Sequence, residues 1–315
     1  MSYILVIIGF AILIKGADYL VEGASSIARR FGLSSLFIGL TIVSMGTSAP
    51  ELFVNVTASI QDSAGIAIGN ILGSNIANIL LILGISAIIY PLTVHKNTIR
   101  KEIPFSLLAV AMLGIFANDG LVDGHGFNLL SRSEGLALLG FFIIFMYYVA
   151  GIMKSEKQEE DVKNSGLATS VLMLVVGLIG LALGSRFIVD GGTSIAQALG
   201  LSEAFIGLTI IAVGTSLPEL AASAAAAYRK KVDIAIGNVV GSNIFNIFLV
   251  LGASSIIRPV EFSLVLNFDI LVVIIVTLLL VFSLFIGKKQ VLQRWQGGVF
   301  IVLYLTYITF LIYRG

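Results

Sequence analysis

Long apolar runs broken by short polar stretches organise this chain from one end to the other. Ten runs approach or exceed the ~20 residues needed to cross a hydrocarbon core of ~30 Å: about 2–29, 34–60, 65–90, 103–118, 134–153, 167–198, 203–228, 232–257, 264–286 and 296–313. Each predicts a helix. The first, unbroken from Ser2 to Arg30, would be about 43 Å long at 1.5 Å per residue and must therefore tilt. It has no basic leading segment and outruns the apolar stretch of a cleavable signal, so it reads as a spanning helix.

The same pattern occurs twice. GLTIVSMGTSAPEL (Gly39 to Leu52) returns as GLTIIAVGTSLPEL (Gly207 to Leu220), and IAIGNILGSNIANI (Ile66 to Ile79) returns as IAIGNVVGSNIFNI (Ile234 to Ile247), both at an offset of 168 residues. Between Gly39/Gly207 and Pro91/Pro259 the register holds without a gap, with 29 of 53 positions identical. It extends back to VEGASSIARRFGLS (Val21 to Ser34) and VDGGTSIAQALGLS (Val189 to Ser202). Five spans per copy is an odd number, so the second copy enters the membrane from the opposite face. The expected fold is an all-α polytopic membrane protein: ten transmembrane helices as two inverted five-helix repeats, with discontinuous helices at the midplane. Residues 1–153 form the first repeat, 154–166 a solvated cytoplasmic linker (KSEKQEEDVKNSG starts it at Lys154), and 167–315 the second repeat. A repeat with one intramembrane Glu per copy points to a transporter whose site lies between its halves.

Composition agrees: 57% of the 315 residues are hydrophobic and 12% charged, against roughly 25% charged in soluble domains. A net charge of +1 argues against nucleic acid as a partner, and no segment calls for an obligate protein partner; the lipid bilayer is the surrounding partner. Alternate connections carry fourteen Lys and Arg (Arg29, Arg30, Lys96, Arg100, Lys101, Lys154, Lys157, Lys163, Arg229, Lys230, Lys231, Lys288, Lys289, Arg294), against Arg132, Arg258 and Arg314 on the other side. That asymmetry places both termini outside.

The chemistry lies in the repeated segments. Ser44, Thr47, Ser48 and Glu51 share one helical face, and Pro50 breaks the turn that precedes it. Thr215, Ser216, Pro218 and Glu219 repeat this, with Ala212 in place of Ser44, so a ligand common to both copies there must be the backbone carbonyl. Asn70, Ser74 and Asn78, with their twins Asn238, Ser242 and Asn246, step by four along the partner helices. A carboxylate at mid-membrane costs several kcal/mol unless it is paired or solvated, so Glu51 and Glu219 read as functional. Hydroxyls commonly pack between membrane helices, but Thr47 and Ser48 stand out through their twins. Lys15, Asp18, Glu22, Arg186 and Asp190 read as interfacial, snorkelling or paired; His95 and His125 read as surface residues. The donor set is all oxygen and suits hard cations; with no Cys, nothing favours zinc or copper, and no cofactor is called for.

GTSAPE/GTSLPE and GNILGSNIAN/GNVVGSNIFN resemble the two α-repeats of the Ca2+/cation antiporter superfamily, in its Na+/Ca2+ exchanger branch. The resemblance covers essentially the whole chain and, without the large cytoplasmic regulatory domains of animal relatives, implies a compact prokaryotic member in the cell (inner) membrane. The H+-coupled branch typically carries a GNxxE-type element where this chain has GTSxPE. The resemblance implies Ca2+ and Na+ as transported substrates, with Glu51 and Glu219 as shared central carboxylates and the carbonyls of Thr47 and Thr215 completing a Ca2+ site. It also implies flanking Na+ sites from Ser48, Ser74 and the Ser44 carbonyl, and from Ser216, Ser242 and the Ala212 carbonyl, with Asn78 and Asn246 completing the centre. Several relatives have Asp where this chain has Asn246, so the centre here holds two negative charges rather than three. Alternating access, with the long first and sixth helices sliding across a core of broken helices, is the implied mechanism. An H+/Ca2+ exchanger is the alternative, ahead of a cation channel or an intramembrane hydrolase. A hydrolase fits poorly because acid and base work favours unlike environments for the two carboxyls.

Overall fold

The computed structural model describes residues 2–60, 64–122, 124, 128–153, 166–199 and 212–314, all helical apart from turns and four two-residue strands. The helices are α1 (Ser2–Phe31), α2 (Ser35–Thr47), α3 (Ala49–Ile60), α4 (Ile68–Ile89), α5 (Ile103–Phe116), α6 (Arg132–Gly151), α7 (Leu167–Ala198), α8 (Ala212–Thr215), α9 (Leu217–Tyr228), α10 (Val232–Ile257), α11 (Leu264–Ser283) and α12 (Arg294–Arg314). Among the described residues seven helices are long and apolar enough to cross a bilayer, eight when the bent pair α2–α3 counts as one. The run expected at 103–118 is the 14-residue α5, continued at its start by a π-helical turn, Thr98–Glu102, that carries Arg100 and Lys101. The run expected at 203–228 is described only from Ala212, so its first half, the linker at 154–165 and His125 lie outside the described residues.

Local chemistry sets several boundaries. Ser34 caps α2 by accepting from Phe37 N at 3.1 Å. Ser131 and Glu134 form a reciprocal cap on α6, which satisfies two of the amide donors that a helix start leaves open. Ser48 (φ −82°, ψ 4°) interrupts the helix, and α2 and α3 bend by 44° across it. Ser216 (φ −88°, ψ 2°) makes the equivalent interruption between α8 and α9.

Helices α4 and α10 form the centre: 78% and 94% of their apolar windows are buried, against 33% for α1 and 22% for α7. Large apolar side chains such as Phe10, Ile14, Leu172, Phe282 and Val302 are exposed on the outside, while Ser, Thr, Asn and Glu side chains are buried within. That inversion suits a hydrocarbon surround. Two antiparallel clips join the repeats: β1 (Leu92–Thr93) pairs with β4 (Val291–Leu292), and β2 (Leu129–Leu130) with β3 (Val260–Glu261). Leu92 and Val260 stand 168 residues apart, so each repeat contributes the same strand to one clip.

The two longest helices, α1 and α7, run antiparallel in close contact. Gly9 lies against Gly184 and Ile188, Gly16 against Gly177, Gly180 and Leu181, and Gly23 against Ser170 and Leu174. A Cβ added at Gly177 would lie 2.5 Å from Leu20 N, and one at Gly16 would lie 2.8 Å from Leu181 N. Only hydrogen fits at those positions.

Candidate functional site

Both helix interruptions are followed by Pro and then Glu. Pro50 and Pro218 have no amide hydrogen, so the carbonyl four residues earlier loses its helical donor. In the second copy that carbonyl, Gly214 O, accepts from the Ser185 hydroxyl of α7 at 2.6 Å. The broken helices present Ser44, Thr47, Ser48 and Glu51 on one side, and Thr215, Ser216 and Glu219 on the other. All of these are buried except the partly exposed Thr215. Ala212 opens α8 beside them in the chain.

The central helices answer with their own polar row across the repeat boundary. Thr47 Oγ1 donates to Asn238 Oδ1 at 3.0 Å, and Thr215 Oγ1 donates to Asn70 Oδ1 at 3.4 Å, so each Thr hydroxyl is held by the other repeat. Ser48 donates to Glu219 Oε1 at 3.1 Å. Its twin does otherwise: Ser216 donates to Ser74 Oγ at 3.3 Å. Asn238 Nδ2 donates to Ser223 Oγ at 2.9 Å and to the Glu219 carbonyl at 3.3 Å, fixing the start of α9. The Ser44 carbonyl accepts from Ser48 N at 2.9 Å, and Ser216 N donates to Val213 O at 3.1 Å.

Six buried oxygens of the residues singled out from sequence have no hydrogen-bond donor: both carboxylate oxygens of Glu51, Oε2 of Glu219, Oγ of Ser242, and Oδ1 of Asn78 and of Asn246. Glu51 is flanked by Ser74 and Thr215 and stands near enough to Glu219 for their charges to repel. Of two buried carboxylates elsewhere, Asp269 is answered at both oxygens and Glu102 at one, its Oε2 being left open. Tyr148 donates to Glu102, while Tyr307 (2.8 Å) and Arg314 (2.9 Å) meet Asp269. A buried acceptor without a donor costs about 1–3 kcal/mol, and a charged one more. Six together are the arrangement that a dehydrated cation stabilises and apolar packing does not.

The described residues hold no cluster of three His, Cys, Asp or Glu side chains around one point, so the candidate site rests on two carboxylates and neutral oxygens, a set for hard cations. Of the residues singled out from sequence, Thr47, Ser48, Glu51, Ser74, Thr215, Ser216, Glu219, Asn238 and Asn70 are joined by these contacts. Asn78 and Asn246 are held instead by two unanticipated residues, Asn75 and Asn243: Asn78 Nδ2 donates to Asn243 Oδ1 at 2.9 Å and Asn246 Nδ2 to Asn75 Oδ1 at 3.0 Å. The signal that could have found them is the repeat itself, since both are identical at the 168-residue offset. Ser185 had no such signal, because Ala17 occupies its twin position.

Residues 1–151 and 169–313 match the sodium/calcium exchanger protein family. The chain belongs to that family. Among relatives, the putative antiporter CaxA of Alkalimonas amylolytica is 40% identical, over 96% of each chain. The sodium/calcium exchanger MaX1 of Methanosarcina acetivorans is 32% identical over 99% of each. The fold matches the sodium-calcium exchanger NCX_Mj, in a crystal soaked with 10 mM Na+ and no Ca2+, with a TM-score of 0.85, 37% identity and 98% coverage of both chains. A Ca2+/H+ antiporter, ChaA of Bacillus subtilis, is more distant, 26% identical over 75% of this chain. These relatives are transporters, and this member of the exchanger family is an integral membrane protein.

Proposed function

We propose that this chain is a secondary active antiporter that exchanges Ca2+ for Na+ by alternating access. The observation that carries the reading is the set of six buried oxygens without donors, drawn from both repeats and including two carboxylates. Glu51 and Glu219 supply two negative charges, which balance one Ca2+. The Thr47 and Thr215 hydroxyls are engaged with Asn238 and Asn70, an arrangement that favours their carbonyls as ion ligands. Ser48 and Ser74, with the Ser44 carbonyl, form one flanking Na+ position; Ser216 and Ser242, with the Ala212 carbonyl, form the other; Asn78 and Asn246 close the centre. Both ions draw on the same oxygens, so they compete. The empty site leaves carboxylates uncompensated and is penalised in crossing, whereas a filled one is not; that difference couples the two fluxes.

Two inverted repeats are supported by the antiparallel run of α1 beside α7 and by the paired strand clips. Na+ coupling is favoured over H+ coupling by the GTSxPE elements and by the greater distance of the Ca2+/H+ relative. The test is 45Ca2+ uptake by Na+-loaded proteoliposomes diluted into Na+-free buffer, with imposed K+ and pH gradients as separate arms. Uptake is expected to follow the Na+ gradient and to be indifferent to K+. Equal uptake on a pH gradient without Na+ would transfer the assignment to H+ exchange.

A further inference from the structure

At the crossing of α4 and α10, the amide of Asn75 makes two bonds with different partners. Its Nδ2 donates to the backbone carbonyl of Asn243 at 3.3 Å, and its Oδ1 accepts from Asn246 Nδ2 at 3.0 Å. The nitrogen and oxygen of an amide are told apart by what they face. A backbone carbonyl only accepts, so the side of Asn75 that meets Asn243 must be its nitrogen and the side that meets Asn246 must be its oxygen. Asn246 must then answer with its nitrogen, which leaves its Oδ1 turned away from Asn75 and without a donor. Turning Asn246 over would set oxygen against oxygen there and would aim two N–H hydrogens in the opposite direction. Asn75 and Asn246 are both buried (0% and 1% exposed), so no solvent relieves either mismatch.

We propose that Asn75 is a positioning residue for ion exchange: anchored on the Asn243 carbonyl, it holds the Asn246 amide oxygen-first toward the transported cation. The inference rests on the exchange reading above. It explains how a neutral amide serves at a position where a carboxylate would present oxygen in either orientation. An amide is a cation ligand only while it is held the right way round, and the residue holding it need not touch the ion. Asn243 acts in parallel on Asn78, accepting its Nδ2 and leaving Asn78 Oδ1 without a donor.

The dependence on an amide at 246 supplies the test. Asn75→Leu is made in the parent and in Asn246→Asp, and the KM for Ca2+ in Na+-driven uptake is compared within each background. Loss of the anchored acceptor is expected to raise KM about tenfold in the parent, the scale of one hydrogen bond to a charged centre. In the Asn246→Asp background the change should stay below about threefold, since a carboxylate offers oxygen both ways. An equal or greater change there, or a parent effect confined to maximal rate, would overturn the positioning role and reduce Asn75 to a packing residue. If Asn75→Leu is not monodisperse, Asn75→Ser, whose hydroxyl stops short of Asn246, replaces it. Where a variant binds but does not transport, calorimetric Ca2+ affinity in detergent gives the same ratio. Absence of Na+-driven uptake in the parent protein would instead count against the exchange reading itself.

Discussion

Where α4 crosses α10, the contact is made of amides, with hydroxyls and carboxylates beside it; where α1 runs along α7, it is made chiefly of glycine, with one hydroxyl pair, Ser170 to Ser26 at 2.8 Å. In the first, Asn75, Asn78, Asn243 and Asn246 bond across the repeat boundary within a few ångströms of one another, and each bond has one acceptable geometry. In the second, Gly9, Gly16 and Gly23 are spaced seven apart, and so are Gly177, Gly184 and Gly191, related to the first three by the 168-residue repeat. Gly9 meets Gly184 and Gly16 meets Gly177, so the seam is symmetric under exchange of the two helices. Small residues let backbones approach closely in lipid, where apolar burial alone gives helices little reason to associate. The pair then meets the core through a low-relief surface: Leu13, Ala17, Leu20, Val21 and Ala24 of α1 cluster with Ala222 and Ala226 of α9. Directional bonds fix the polar core, while close packing joins α1 to α7, and the pair meets the core mainly through apolar contacts, with a few polar ties such as Ser185 to the Gly214 carbonyl.

The comparison breaks first at the carboxylates. Glu51→Gln or Glu219→Gln removes half of the negative charge that faces a divalent ion in a buried site, a deficit of several kcal/mol. Each is expected to lower Ca2+ exchange at least about a hundredfold while leaving the α1–α7 seam and a monodisperse protein intact. Gel filtration and 45Ca2+ flux check this. Substantial exchange in either purified variant would remove the central role of that Glu.

The seam is the second place to break it. Leu at Gly16 or at Gly177 meets opposing backbone rather than a movable side-chain end, so the helices must separate; overpacking of this kind costs about 1–3 kcal/mol. Turnover is expected to fall about tenfold or more, while equilibrium Ca2+ affinity in detergent stays within about threefold of the parent, since none of the proposed ion ligands sits on either helix. If affinity and turnover fall together, the seam and the site are one mechanical unit and the division drawn here fails.

Much of the core was legible in the sequence, because intramembrane polar residues at helical spacing, duplicated at a fixed offset, have few uses besides lining a site. The broken helices were legible as well, through Pro50 and Pro218. Asn75 was not: the step of four that selects Asn70, Ser74 and Asn78 places it about 100° away around the helix, on the side that meets α10 rather than the broken helix. The different bonding of Ser48 and Ser216 was equally hidden, since identical residues in both copies announce equal roles and only the packed conformation distinguishes them. The glycine seam is not legible in the sequence, because glycine in a membrane helix has many packing uses, and only the partner helix shows which of them touch. Asp18 and Glu22, read as interfacial or paired, do have a partner, Arg229, from beyond the end of α9.

That partner gives the smallest and most easily tuned test. Arg229 meets Asp18 at 3.0 Å and Glu22 at 3.4 Å, joining α1 to the core helix it rests on, with all three side chains 35–46% exposed. An exposed pair is worth about 0.2–1 kcal/mol and weakens with salt, whose screening length is ~10 Å at 0.1 M. If α1 and α7 shift against the core during exchange, this tie is made in the conformation described here and lost on leaving it, so it slows departure. Arg229→Gln is therefore expected to raise the exchange rate at low ionic strength by less than about fivefold, without changing the KM for Ca2+, and the gain should disappear in 0.5 M choline chloride, roughly the regime of full screening. Flux measured across ionic strength for both proteins decides the matter. A rate that does not change, or a gain that persists in high salt, would mean that the ion pair moves with the core instead of bridging to a separate body.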